Sequence, residues 1–233
     1  MQMSIADHLA RLQEQIGEAC RRAHRAESDV ALMAVSKMPP VEAILEAYAA
    51  GQRLFGENRV QEFQEKAQRL AGLGDAEFHL IGPLQSNKTT RAAELFQAID
   101  AVDSLKIAQR LNSAAGVLGK KLPVLVEVKV IHESSKHGVA PAELPVLLDA
   151  MSGLESLEVR GLMTVPPWSV DAELARPTFR ELRRLRDEMQ KVHPGVTQLS
   201  MGMSNDFYVA IEEGSSCVRV GTAVFGKRQM FGA

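Results

Sequence analysis

The chain has little cysteine: Cys20 and Cys217 are the only two among 233 residues, far apart and at no metal-binding or redox spacing. That excludes a disulfide framework and suits ordinary thiols in a reducing cytoplasm. No charge of one sign dominates, with 27 Lys and Arg against 29 Asp and Glu, so no overall field draws nucleic acid or an anionic membrane. The basic clusters at Arg21-Arg22-Ala23-His24-Arg25 and from Arg180 to Arg186 read as solvated helix faces in preference to an RNA-binding stripe. No apolar run approaches the length of a membrane span, and no cationic N-terminal segment leads into one, so a cytoplasmic protein is expected. The histidines, at positions 8, 24, 79, 132, 137 and 193, show no pair at helical metal-ligand spacing, which argues against zinc or iron. A Gly-x-Gly-x-x-Gly turn after the first strand and a Walker-type loop are both missing, so the nucleotide-binding open sheets lose support. Repeats, low-complexity tracts and linkers are missing too, and 45% hydrophobic content over 233 residues suits one domain, residues 1–233, with a full core.

What is present is a strict alternation. Ser4 and Asp7 form a capping-box pattern, and Ile5, Leu9, Leu12, Ile16 and Ala19 recur at helical steps, so a helix precedes the first strand. Strands are then expected at 31–36, 53–56, 77–82, 98–102, 123–130, 157–164, 197–200 and 217–220. Helices are expected between them at about 40–50, 58–71, 87–95, 104–117, 141–150, 171–192 and 204–213. Alternation implies parallel strands with right-handed crossovers, and eight such units close a (β/α)8 TIM barrel, here with an additional N-terminal helix.

Two features carry chemistry. Lys37 ends the apolar run Ala31-Leu32-Met33-Ala34-Val35-Ser36 and precedes Met38-Pro39-Pro40. Its stem is expected in the core and its amine at the C-terminal mouth of the first strand. It could be a snorkelling lysine that caps the strand, or a partly desolvated amine able to form a Schiff base with an aldehyde. The second feature is the pair of turns Ser200-Met201-Gly202-Met203-Ser204-Asn205-Asp206 and Arg219-Val220-Gly221-Thr222, after strands seven and eight, where such barrels often hold phosphate. Ser204 could cap the next helix or bond an oxyanion, and Gly221 and Thr222 offer N–H groups and a hydroxyl at a helix start. Either turn alone could be an ordinary strand-to-helix connection. Together, and next to strand one once the barrel closes, they suggest a pocket for a phosphorylated aldehyde, with pyridoxal 5′-phosphate leading and a sugar phosphate second.

At this point the chain resembles the pyridoxal-phosphate homeostasis proteins of the YggS or PROSC type, whose barrel is like the N-terminal domain of bacterial alanine racemase. The resemblance spans about residues 5 to 226. It is carried by Ala34-Val35-Ser36-Lys37, Phe55-Gly56-Glu57-Asn58, the stretch from Phe78 to Lys88, Ser134-Ser135-Lys136-His137-Gly138, Gly161-Leu162-Met163, Gly202-Met203-Ser204 and the stretch from Arg219 to Gly226. It implies pyridoxal 5′-phosphate as cofactor, an internal Schiff base at Lys37, and phosphate contacts from Ser204, Gly221 and Thr222. It also implies that Arg219 faces the pyridine nitrogen, where a permanent cation would disfavour protonation of the ring; a salt bridge at the strand end is the other role open to it. Asn58 is expected near the cofactor, Glu57 to orient its neighbours, and Met163 to line the pocket, although a methionine also packs. Gln85-Ser86-Asn87-Lys88 could contribute at the mouth or simply start a helix, and Lys136 and His137 read as a solvated loop. One departure stands out: the family commonly has asparagine at the end of strand five, where this chain reads Val126-Glu127-Val128-Lys129.

The resemblance leaves a carrier and an enzyme to be weighed. Racemisation needs a proton donor and acceptor on both faces of the substrate adduct. Alanine racemases add a β domain whose tyrosine serves one face, and the only tyrosines here, Tyr48 and Tyr208, fall in expected helices. A reversible carrier that buffers the cofactor or supplies it to pyridoxal-phosphate-dependent apoenzymes is therefore expected, as a monomer. A small amino-acid racemase is the alternative. A class I aldolase is a third reading, but its lysine commonly sits on strand six, where this chain has Met163.

Overall fold

The computed structural model describes residues 3–130 and 137–226. Eight parallel strands close into a barrel in sequence order: β1 Ala31–Val35, β2 Leu54–Glu57, β3 Glu77–Leu80, β4 Ala98–Val102, β5 Leu122–Glu127, β6 Leu157–Met163, β7 Gln198–Ser200 and β8 Cys217–Val220. β1 pairs with β2 on one side and with β8 on the other, so the seam joins Ala34 to Val220 and Met33 to Arg219. The expected (β/α)8 barrel is the observed one.

The helices are α1 Ile5–Arg22, α2 Val41–Ala49, α3 Val60–Leu70, α4 Thr89–Leu95, α5 Leu105–Val117, α6 Leu144–Met151, α7 Arg176–Gln190, α8 Phe207–Glu212 and α9 Thr222–Phe225. α1 begins at the expected capping box: Asp7 N donates to Ser4 Oγ at 3.1 Å and Ser4 N donates to Asp7 Oδ2 at 2.9 Å. Its buried stripe, Leu9, Leu12, Ile16 and Ala19, packs the helix against α8 and α9. His8 Nδ1 lies 2.9 Å from the Val224 carbonyl, so the N-terminal helix steadies the short helix that follows β8.

Period two decides what the strands face. Leu32, Ala34, Phe55, Phe78, Leu80, Val218 and Val220 belong to the apolar layer between barrel and helices. Phe63 of α3 joins that layer by stacking between Phe78 and Phe96, at 4.7 and 4.8 Å between ring centroids. The alternate positions point inward and are smaller or polar, among them Gly56, His79, Asp100, Ser200 and Arg219. A separate small apolar cluster, Ala101, Leu125 and Met163, fills part of the interior.

Several boundaries are shorter than expected. β5 ends at Glu127, because Val128 makes only an isolated bridge to Val139. The stretches at 141–143 and 172–175 are single 3-10 turns that lead into α6 and α7. The helix expected over 204–213 starts at Phe207. Among the described residues no helix is long and apolar enough to cross a membrane. In the two basic clusters Arg22 meets Glu212, Arg25 donates to the Ile211 and Ser215 carbonyls, and Arg180 and Arg183 join Arg176 in converging on the buried Glu213.

Candidate functional site

Lys37 follows β1 at the C-terminal mouth. The structure corrects one expectation about it: the stem is not in the core, and the side chain is exposed. Ser36, two residues past Ala34, keeps to the helix-facing side at the strand end. It is fully buried, its N–H donates to the Gly56 carbonyl at 2.8 Å, and its Oγ donates to Glu57 Oε1 at 2.8 Å. The chain then bends before Pro39-Pro40 and carries Lys37 to solvent at the rim.

The β8 turn sits beside it. The pairing of Ala34 with Val220 brings Gly221 against Val35, where a Cβ on Gly221 would lie 3.4 Å from the Val35 carbonyl oxygen. Gly221 is the N-cap of α9, and Thr222, its first residue, is exposed. The N–H groups at this helix start are available to an anion. From the other flank, Asn58 follows β2 and is half-buried, with its backbone pressed onto Gly82: a Cβ there would come within 2.3 Å of Asn58 O.

The β7 turn approaches from across β8. Gly202 has φ +95°, and a Cβ on it would fall 2.6 Å from Ala210 Cβ, so glycine is what lets this turn fold onto α8. Ser204 is half-buried in the turn but does not cap the helix. That place belongs to Asp206, whose Oδ1 accepts from Met203 N at 2.6 Å. The capping expectation for Ser204 is thus corrected, and its hydroxyl is not spent on the helix.

Below the rim lies Arg219, 4% exposed. Its Nη1 donates to Ser200 Oγ at 2.7 Å and its Nη2 to the Thr164 carbonyl at 2.8 Å. Burial pulls its pKa down, and the nearby Asp100, Glu127 and Asp206 oppose that pull. A guanidinium stays charged in such a setting. Its bonds run across the barrel to β7 and the end of β6, so the salt-bridge role at the strand end is not the one observed. Met163, fully buried, pairs with both Glu127 and Ser200 and floors the same end of the barrel.

Two neighbours of the site escaped the sequence reading as functional groups. Glu127, the last residue of β5, has a carboxyl pushed up to about 7, first by burial and then by the charge of Asp103, while Arg219 draws it back. Lys66 of α3 reaches the Ser36 carbonyl at 2.7 Å and Glu57 Oε1 at 3.2 Å. A signal for Lys66 did exist: it lies on the stripe Phe63, Ala67, Leu70, and a lysine on an apolar helix face needs a partner.

The other motif residues scatter. Ser86 to Lys88 form a 3-10 turn into α4, with the Ser86 carbonyl taking Thr89 Oγ1 and Arg110 Nη1. His79 is not at the mouth. It lines a cavity of about 350 Å³ among the strand starts, with Ala31 and Cys217, and its Nδ1 is 3.1 Å from Asp100 Oδ1. His137 is exposed with Nδ1 3.9 Å from Asp103 Oδ2, while Ser134, Ser135 and Lys136 lie outside the described residues. Lys129 is half-buried and its N–H donates to the Val139 carbonyl at 2.9 Å.

The residues present fit a phosphorylated pyridine aldehyde by the chemistry of their donors. They offer an accessible primary amine, hydroxyls at Ser204 and Thr222 that meet no partner among the described residues, a helix start at Gly221, and a fixed cation beneath. Comparison with known proteins points the same way. The alanine racemase N-terminal domain family matches residues 8–229. The pyridoxal phosphate homeostasis protein of Vibrio cholerae is 44% identical over 228 residues, covering 97% of each chain. That of Aquifex aeolicus is 42% identical, covering 97% of this chain and all of its own. The structure of PipY from Synechococcus elongatus with pyridoxal phosphate bound superposes with a TM-score of 0.87 at 42% identity, covering 96% of this chain and 100% of PipY. Alanine racemase from Clostridium difficile shares the fold alone, at TM-score 0.74 and 17% identity, with 57% of its chain covered. The chain belongs to the pyridoxal phosphate homeostasis protein family, built on the barrel of the alanine racemase N-terminal domain.

Proposed function

We propose that this protein holds pyridoxal 5′-phosphate reversibly at the barrel mouth and acts in vitamin B6 homeostasis, releasing the cofactor to apoenzymes that need it. The observation that carries the reading is the seam of β1 and β8, which sets the exposed Lys37 beside the start of α9 with Arg219 buried below. When bound, the cofactor supplies an aldehyde that condenses reversibly with a primary amine and a ring that can withdraw electrons from the adduct. Lys37 provides the amine. Ser204, Gly221 and Thr222 hold the phosphate, Asn58 and Met163 bound the ring, and Arg219 meets the ring nitrogen. A guanidinium does not surrender a proton to that nitrogen, so the ring is a weak electron sink and bond breaking on the adduct is not promoted. Lys37 and Thr222 are both exposed, which suits exchange of the cofactor with solvent and with a partner. We take the protein to act as a cytoplasmic, single-domain monomer.

Neither tyrosine supports an enzyme. The Tyr48 hydroxyl bonds Asp75, with Arg53 stacked 4.1 Å over its ring, and Tyr208 stands on α8 edge-on to Phe207. One observation favours a second reading, a small amino-acid racemase: Glu127 titrates near neutrality at the mouth, as a proton acceptor should.

Borohydride reduction of protein incubated with pyridoxal phosphate, followed by peptide mapping, tests the main reading; the adduct should map to Lys37. A colourless protein, or an adduct on another lysine, overturns it. Exchange of the α-proton of added alanine in deuterated water, at a rate that Glu127→Gln abolishes, would favour the racemase.

A further inference from the structure

Glu57 is 0% exposed, sits at the end of β2, and uses only one of its carboxylate oxygens. Oε1 accepts from Ser36 Oγ at 2.8 Å and from Lys66 Nζ at 3.2 Å, while Oε2 meets no donor among the described residues. Burial pushes this carboxyl up, and the Lys66 ammonium and the Ser36 hydroxyl pull it back. The Lys66 side chain is only 15% exposed. Besides Glu57 it donates to the Ser36 carbonyl at 2.7 Å and reaches the Lys37 carbonyl at 3.5 Å.

Those two carbonyls belong to the peptide planes on either side of the Lys37 Cα. An ammonium that engages both sets the φ and ψ of Lys37, and so the direction in which its side chain leaves the backbone. Ser36 is held from below by Gly56 and Glu57, and Pro39 restricts Met38 from above. Lys66 supplies what is left, the restraint at Lys37 itself.

We propose that Lys66, seated on Glu57, is a positioning residue for Lys37: it fixes the backbone so that an otherwise exposed amine is aimed into the mouth. A buried ion pair that only tied α3 to β2 would have no need to engage the lysine's own flanking carbonyls. The proposal rests on the reading that Lys37 is the amine that captures the aldehyde.

The test uses Lys66→Met and Lys66→Arg in the full chain. If Lys66→Met does not fold with Glu57 left unpaired, the double variant Lys66→Met with Glu57→Gln removes both charges. Without cofactor, the ¹⁵N order parameter of Lys37 should drop from about 0.85 to below about 0.6 in the Met variant. With pyridoxal phosphate, the rate constant for adduct formation at Lys37 should fall by on the order of 10- to 100-fold, as misdirected reacting groups do. Lys66→Arg, which keeps charge and donors, should restore most of it. An unchanged order parameter, or an unchanged capture rate in a folded Met variant, overturns the proposal while leaving capture at Lys37 standing. Failure of the wild-type protein to form an adduct at Lys37 overturns the function itself, and the cofactor-free order parameter still decides whether Lys66 restrains that backbone.

Discussion

Glu127 offers a prediction whose size can be worked from the structure. Its carboxyl is displaced from 4.5 to about 7 in the folded protein, first by burial and then by Asp103, with Arg219 acting in the opposite sense. The folded state therefore holds this proton more tightly than the unfolded state. Below about pH 4.5 both states are protonated and above about 7 both are ionised; between them the native form binds more protons, so stability declines as pH rises across that window. At about 1.4 kcal/mol per pH unit, the decline is on the order of 3 kcal/mol. Glu127→Gln has no charge to bury and should lack this decline. At this chain length about 1 kcal/mol moves the melting temperature by roughly 2–4 °C. The variant should therefore match the wild type near pH 4.5 and gain roughly 6–12 °C over it by pH 8, read by calorimetry across a pH series. His79 gives a decline of the same sign: burial pulls its pKa down, but Asp100 and Glu77 outweigh that and raise it. This contribution is common to both proteins and cancels in the difference. A difference in melting temperature that stays flat from pH 4.5 to 8 would refute the assignment of a displaced carboxyl to Glu127.

The remaining predictions bear on the mouth itself. Lys37→Ala should abolish the reducible adduct and the visible absorption while changing stability by no more than about 0.5 kcal/mol, because the side chain is exposed; thermal melts and spectra check both. Thr222→Val should weaken retention of the cofactor by roughly 1–3 kcal/mol, the loss of a donor to a charged acceptor, measured by equilibrium dialysis; unchanged retention would remove Thr222 from the phosphate site. Arg219→Met should cost about 3–5 kcal/mol of stability, since it strands buried carboxylates and removes the bonds to Ser200 and Thr164; a melting temperature within the error of wild type would contradict its burial.

The barrel was legible because its outward layer obeys a simple rule. Leu32, Ala34, Phe55, Phe78, Leu80, Val218 and Val220 are apolar, alternate at period two and are punctuated by Gly, Ser and Asp, so strand count and order could be read from spacing alone. The rule covers the side of each strand that packs on helices. It is silent about the inner side, where Arg219, Ser200 and Asp100 interrupt the same segments with polar groups. Lys37 shows the consequence. Counting along β1 placed its stem in the core, but β1 ends at Val35, Ser36 bonds Glu57, 21 positions on, and Lys37 lies exposed beyond the strand.

The site splits along the same line. Gly221 and Thr222 could be located because a strand end followed by a helix start is a local pattern, and barrel closure then puts the last such turn beside the first. Asp206 rather than Ser204 stands at the N-cap position of α8, and its carboxylate bonds back to Met203 N in the turn instead of to the helix, an arrangement that local sequence leaves undecided. Lys66 and Glu127 depend on groups brought together only by closure. Lys66 lies 30 positions from Ser36, and Glu127 owes its displaced carboxyl to burial and to Asp103. What local pattern conveys is therefore which groups stand at the mouth, a lysine after β1 and two turns that carry hydroxyls and N–H groups. What closure adds is the set of groups around them: Lys66 against the Ser36 carbonyl, and Glu127 buried near Asp103 and Arg219.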